Sequence, residues 1–264
     1  MRIKTITSYL ESIAPLSLQE EYDNSGLIIG NEDNEVIGAL ICIDCTETVI
    51  DEAIKKKCNF IISHHPIIFR GLKKITGKNY VERVVLKAIQ NNISIYAIHT
   101  NLDNVIQGVN KKICDKLGLS DCKFLLPSPA GEGLGMRSGS GMIGILKKPM
   151  TEIAFLKKIK SVMKAGSLRH TALLNKKVSK VAVCGGSGSF LLNDAIASSA
   201  DVFITADFKY HQFFDAENKI LIADIGHYES EQFTKELLHD LLKQKFSIFA
   251  PRLSEINTNP VNYL

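Results

Sequence analysis

No window of this chain approaches the roughly 18 apolar residues that a membrane-spanning helix needs. The N-terminus, MRIKTITSYLESIAPLSLQEEYD, lacks both a continuous apolar stretch and a small-residue cleavage site, so it does not read as a secretory leader. A cytoplasmic location is the expectation. No segment repeats at a fixed period and no tract is of low complexity. Charge of one sign is missing too. The net charge is +4, and a dedicated nucleic-acid binder shows a basic stripe or a much larger excess. Cysteine pairing is also sparse. The six thiols are Cys42, Cys45, Cys58, Cys114, Cys122 and Cys184, and only Cys42 and Cys45 form a C-x-x-C. A redox C-x-x-C usually opens a helix, and a structural zinc site needs two more ligands. The segment ALICIDC reads instead as a buried strand, where positions three apart face opposite ways. These cysteines are expected to pack the core.

What the chain does have is length and alternation. Its 264 residues suffice for one large or two medium domains. A hydrophobic content of 45% with 23% charged residues is that of an ordinary soluble protein. Apolar periodicity predicts a helix over 4–13 and strands in LIIG and VIGALICID. Thr46 is positioned to cap a helix reaching Lys57. The strand FIISHH, the helix YVERVVLKAIQNN, the strand SIYAIH and a helix stopping at Gly118 follow. Such alternation implies an α/β fold with a largely parallel sheet. PSPAGEGLGMRSGSG, residues 127–141, is dense in Gly, Ser and Pro and reads as a domain boundary or mobile loop. A second series follows: strand 142–146, helix 150–164, strands 168–173 and 178–184, helix 190–199 and strand 202–206. Strand 219–225, a helix over 229–245 and the strand-like FSIFAPRL close the chain.

In open α/β sheets ligands bind beyond the C-terminal ends of the strands. His64 and His65 lie just past one predicted strand, His99 ends another, and His227 follows LIADIG. Three strands are therefore expected to deliver imidazoles to one edge, accompanied by Asp103 and Glu231. If a helix starts near His227, Glu231 shares its face at i+4. Imidazole with carboxylate suits zinc, iron or manganese rather than an iron–sulfur cluster. His170 and His239 lack such neighbours and read as surface or packing residues. VAVCGGSGSF is a strand, a glycine-rich turn and a helix start. Its N–H groups could cradle phosphate, or its glycines could simply make a tight turn. TADFKYHQFFDA supplies Asp207, Lys209 and His211 as candidates for substrate contact or proton transfer, or as a polar rim.

Together these motifs resemble the NIF3-like family, also called the type 2 GTP cyclohydrolase I family. The resemblance rests on YDNSGLIIG, SHHPIIFRGLKKIT, HTNLD, VAVCGGSG, TADFKYH and DIGHYESE, in that order. It implies two interlinked α/β domains with a dinuclear metal site in the cleft between them, and a toroidal homohexamer. It assigns His64, His65, Asp103, His227 and Glu231 as ligands of two divalent ions, with iron, zinc, manganese, nickel and cobalt all open. It leaves His99 outside the ligand set. A large domain inserted in some relatives has no room here. If the C-terminal ligands join the N-terminal ones, the first domain is discontinuous, 1–126 with 221–264, and 127–220 is an insertion.

The activity so implied is metal-assisted attack of water on C8 of GTP, opening the purine imidazole ring. Gly185, Gly186, Gly188 and Lys209 would then take phosphates, and His99, Asp207 or His211 would move protons. Rival readings are hydrolysis of another nucleotide or phosphoester, and a non-enzymatic metal-binding scaffold or regulatory protein. Alternation along a strand, with Pro66 holding His65 extended, predicts that His64 and His65 are splayed and serve different metals bridged by Glu231 or a water.

Overall fold

The computed structural model describes residues 1–264, the side chain of Glu132 excepted. The chain forms two compact units, Met1–Leu102 with Thr234–Pro260 and Asp103–Phe233 with Val261–Leu264. The first unit runs through α1 (Ile3–Ile13), β1 (Gly26–Ile29), β2 (Ala39–Cys42), α2 (Glu47–Lys55), β3 (Phe60–Ser63), α3 (Tyr80–Gln90) and β4 (Ser94–Ala97) to α4 (Thr100–Asp103). The second holds α5 (Val109–Leu117), β5 (Leu119–Ser128), β6 (Ser138–Thr151), α6 (Glu152–Val162), β7 (Arg169–His170), β8 (Lys177–Ser187), α7 (Leu192–Ala197), β9 (Val202–Ala206), β10 (Leu221–Asp224) and α8 (His227–Glu231). The chain then returns to the first unit with α9 (Thr234–Lys245) and β11 (Arg252–Leu253). Among the described residues no helix is long and apolar enough to cross a membrane.

The sheet of the first unit has the order β1-β4-β3-β2-β11. Its last four strands are mutually parallel and β1 runs against β4. Strands β2, β3 and β4 are buried along their whole length, as their continuous apolar sequences require of a sheet covered on both faces. The helices start where the sequence says they should. Thr46 Oγ1 accepts from Val49 N–H, and Asn79 Oδ1 accepts from Glu82 N–H, each satisfying a donor that a helix leaves open. Leu40, Cys42, Cys45, Val49, Ile61, Val84 and Ile95 share one core. All six cysteines are free thiols, and burial pushes Cys45 up to about 12, in keeping with a packing role. Glu52 on α2 secures the returning segment, accepting from Ser254 Oγ at 2.5 Å and from Glu255 N–H at 2.9 Å.

The sheet of the second unit, β5-β6-β8-β9-β10-β7, is mixed. Strands β8, β9 and β10 are parallel, whereas the β5, β6 and β8 pairings and the β7 edge are antiparallel. The parallel expectation therefore describes the first sheet and half of the second. The reason is the long β5–β6 pairing, which draws the start of the glycine-rich segment into β5 and its end into β6.

That pairing also moves the division of the chain away from residues 126–127. Val105 bridges Ser138, and Gly139 N–H donates to the Asn104 carbonyl oxygen, so the second unit begins at Asp103, the last residue of α4. At the far end β10 pairs with β9, which keeps residues 221–224 in the second unit. Three expected elements are shorter or broken. Strand 168–173 is only Arg169–His170, FSIFAPRL contributes only Arg252–Leu253, and the helix over 229–245 is split into α8 and α9.

Glu82 anchors the loop that leads into α3. Its carboxylate accepts from Thr76 N–H, Thr76 Oγ1, Lys78 N–H and Asn79 Nδ2 at 2.8–3.0 Å. The Thr76 and Lys78 donors lower its pKa to about 2. A carboxyl depressed on folding contributes stability above its unfolded pKa and loses it as pH falls through the folded value. The urea midpoint of the wild type should exceed that of Glu82→Gln at pH 7, and the gap should narrow between about pH 4.5 and pH 2. A gap independent of pH would show that the ionised form contributes nothing.

Candidate metal centre

Strand register assembles a row of functional side chains in the first unit. Parallel pairing sets Cys42 beside Ser63 and Ser63 beside Ala97. Two residues further along each strand come Asp44, His65 and His99. Antiparallel pairing sets Gly26 beside Ala97, which brings the loop carrying Asp23 next to His99. His65 Nδ1 donates to Asp44 Oδ1 at 2.7 Å, and Asp44 Oδ2 accepts from Thr258 Oγ1 at 2.6 Å. His99 Nδ1 donates to Asp23 Oδ1 at 2.8 Å, and His64 Nδ1 donates to the Ile98 carbonyl oxygen at 2.8 Å. Each imidazole is thus tethered through Nδ1, which fixes its ring orientation. One nitrogen from each of the three lies within 4.8 Å of the others. His64 is wholly buried.

The rings of His64 and His65 stand side by side rather than on opposite faces of a strand. Their ring centroids are 5.0 Å apart with planes 38° from parallel, and each lies about 5.2–5.3 Å from His99. Strand β3 ends at Ser63, and the orientation of the two rings after it is set by the Nδ1 partners, the Ile98 carbonyl and Asp44. Burial lowers the pKa of His99 despite the pull of Asp23, and the neighbouring His64 and His65 act in the same direction. Burial alone would raise Asp23, but the hydrogen bonds from His99 and Thr100 hold it well below the usual carboxylate range.

A second row stands at the strand ends of the other sheet. Pairing sets Ser187 beside Ala206 and Thr205 beside Asp224. Asp207 follows β9 with a left-handed φ of 59°. It accepts from Ser187 Oγ and, at 2.6 Å, from His227 Nδ1. On α8 the i+4 spacing delivers what it promised, with His227 Nε2 3.2 Å from Glu231 Oε2. Burial works against a charged His227, yet Glu231 and Asp207 outweigh it and raise its pKa to about 11. His227 and Glu231 are among the side chains that could hold a metal ion. Asp103 and Glu231 both act on the buried Cys184 thiol. His227 therefore does not share a sheet with His64, His65 and His99, because β10 belongs to the second sheet.

The glycine-rich turn is not a vacant phosphate cradle. Gly185 N–H donates to Asn110 Oδ1, Gly186 N–H to Ser230 Oγ and Gly188 N–H to Thr205 Oγ1, each at 2.9 Å. Gly186 has a φ of +61°, and a Cβ there would meet Glu231 Oε1 at 2.4 Å. Gly185 and Gly186 pack closely under Glu231, and Gly188 packs against Thr205 and Cys184. Asp207 holds His227, and His211 is exposed with its ring stacked on Phe214. The Lys209 side chain is exposed too. Asp23 lies in the motif YDNSGLIIG but was given no role there, and Asp44 carried no signal of its own in the sequence. Asp44 could have been found as the residue two beyond β2 once β2 and β3 were aligned as parallel neighbours.

Comparison with known proteins places this architecture. A profile described as Duf34/NIF3 (NGG1p interacting factor 3) matches residues 1–260. A Clostridium acetobutylicum protein named GTP cyclohydrolase 1 type 2 homolog is 34% identical over 268 residues, covering 100% of this chain and 99% of its own. The crystal structure of the Staphylococcus aureus protein SA1388 superposes with a TM-score of 0.92 at 32% identity, covering 100% of this chain and 99% of that one. That of a Bacillus cereus protein related to NIF3 gives a TM-score of 0.92 at 27% identity, with the same coverage.

The packing of Gly186 against Glu231 can be tested. Gly186→Ala should destabilise the fold by about 1–2 kcal/mol from the left-handed backbone alone and displace the Glu231 carboxylate. Gly71→Ala, where a Cβ meets nothing within 4 Å, should change the urea midpoint little. Equal midpoints for the two variants would contradict the packing role.

Proposed function

Because the chain belongs to the DUF34/NIF3 family, we propose that it is a dinuclear metal-dependent hydrolase acting on GTP. His64, His65, Asp103, His227 and Glu231 would hold two divalent ions of iron, zinc, manganese, nickel or cobalt. The observation that carries the reading is that the site histidines arrive already oriented. Asp44, the Ile98 carbonyl and Asp207 each take the Nδ1 proton of an imidazole and leave Nε2 as the donor, which is how metal-binding histidines are commonly held. The name printed for the Clostridium acetobutylicum relative supports GTP as substrate.

Two bound divalent ions supply Lewis acidity and lower the pKa of water, which suits attack on an electron-poor carbon such as purine C8. The protein's own groups do the rest. The carboxylates of Asp23, Asp44 and Asp207 fix imidazole orientation. Neutral His99, buried beside His64 and His65, can accept a proton. With the N–H groups of Gly185, Gly186 and Gly188 engaged in the fold, phosphates would be met by side chains, Lys209 among them. Assembly as a toroidal homohexamer in the cytoplasm belongs to the same proposal.

Stripped and reloaded wild-type protein should bind two ions per chain by elemental analysis, and Glu231→Gln no more than one. The loaded wild type should convert GTP to a fluorescent pterin precursor and the variant should not. Equal turnover in both would sink the assignment. Light scattering should give about 175 kDa, six times the 29.2 kDa chain, and a monomer mass would remove the ring.

A further inference from the structure

The most heavily hydrogen-bonded carboxylate near the histidines is Asp23. Its side chain has 0% exposure. Oδ1 accepts from His99 Nδ1 at 2.8 Å and from Asn24 N–H at 2.7 Å. Oδ2 accepts from Thr100 N–H at 3.1 Å, from Thr100 Oγ1 at 2.5 Å and from Ser25 Oγ at 3.0 Å. Thr100 Oγ1 itself accepts from Glu20 N–H at 2.9 Å, so its own hydrogen is committed to Asp23. Five donors converge on one buried carboxylate, which keeps it ionised and immobile. Only one of those donors is a ring that also faces the histidine cluster.

We propose that Asp23 is a positioning residue that locks His99 as its Nδ1–H tautomer and turns the Nε2 lone pair towards the cluster, where it accepts a proton from water or substrate. This rests on the hydrolase reading above. The proton leaves an O–H or N–H of the reacting molecule and forms the Nε2–H bond, and Asp23 stays ionised beside the resulting imidazolium. A buried carboxylate behind a catalytic imidazole is a general way to select tautomer and orientation, and replacing it by the isosteric amide presents the wrong tautomer.

Asp23→Asn makes the test direct. The three donors at Oδ2 select the amide oxygen for that side, so the amide nitrogen faces His99 Nδ1 and must donate to it. His99 is then forced into the Nε2–H form. Nitrogen-15 NMR of the zinc-loaded full chain, with the His99 signals assigned by their loss in His99→Gln, should show Nδ1–H in the wild type and Nε2–H in Asp23→Asn. Zinc content should be unchanged, while GTP turnover falls roughly 10²–10⁴-fold, the usual contribution of a general base. Ser25→Ala, which removes one Oδ2 donor and leaves the His99 contact, should keep the wild-type tautomer.

An Nε2–H His99 in the wild type overturns the proposal. So does wild-type turnover in Asp23→Asn despite a switched tautomer. Loss of zinc from Asp23→Asn would make His99 a ligand instead and would also overturn the proton role. A wild type without GTP turnover defeats the substrate assignment alone. The role of Asp23 then stands or falls on the tautomers.

Discussion

The arrangement depends first on the register of β2, β3 and β4. Parallel pairing of Cys42 with Ser63 and of Ser63 with Ala97 puts Asp44, His65 and His99 at equal distances beyond three adjacent strand ends. The ladder continues past the strands, with His65 N–H donating to the Ile43 carbonyl and Ile98 N–H to the Ser63 carbonyl. A one-residue slip would turn every side chain of a strand to the other face. Strands β2 and β3 are buried along their whole length, so a slip would repack both of their faces. Core packing and site geometry are therefore one constraint.

The second unit solves the same problem in the same way. Strands β8, β9 and β10 are parallel, and Ser187, Asp207 and His227 stand at their ends as a hydrogen-bonded row. In both units a carboxylate delivered by one strand end orients an imidazole delivered by the next. The cost is carried locally. Asp207 occupies left-handed backbone, and Gly186 must lack a side chain for Glu231 to stand where it does. Irregular backbone of this sort is commonly found where function demands it.

Much of this was legible from residue order. The first α/β series, the cap at Thr46, the strand-end positions of His64, His65 and His99, and the i+4 pairing of His227 with Glu231 all follow from apolar periodicity and turn chemistry. The errors have physical causes. The glycine-rich segment 127–141 looked like a linker because composition cannot reveal that its two ends join the long β5–β6 pairing. The turn at Gly185–Gly188 read equally as an anion cradle or a tight turn, because sequence does not say whether Asn110, Ser230 and Thr205 have taken its N–H groups. His64 and His65 were expected to splay, and nothing in SHHPIIF shows that the Ile98 carbonyl and Asp44 set their rings side by side.

The sequence by itself determined which residue types can do chemistry here and at which strand ends they stand, since period-two and period-3.6 patterns are local and survive in any tertiary context. It determined the family as well, through six short motifs in a fixed order. Only the tertiary structure decided which nitrogen each imidazole presents. That choice belongs to Asp44, Asp23, Asp207 and the Ile98 carbonyl, and two of these partners lie 21 and 76 positions from the histidine they hold. Hydrogen bonds across strand ends are set by register, and register is a property of paired strands rather than of any one of them.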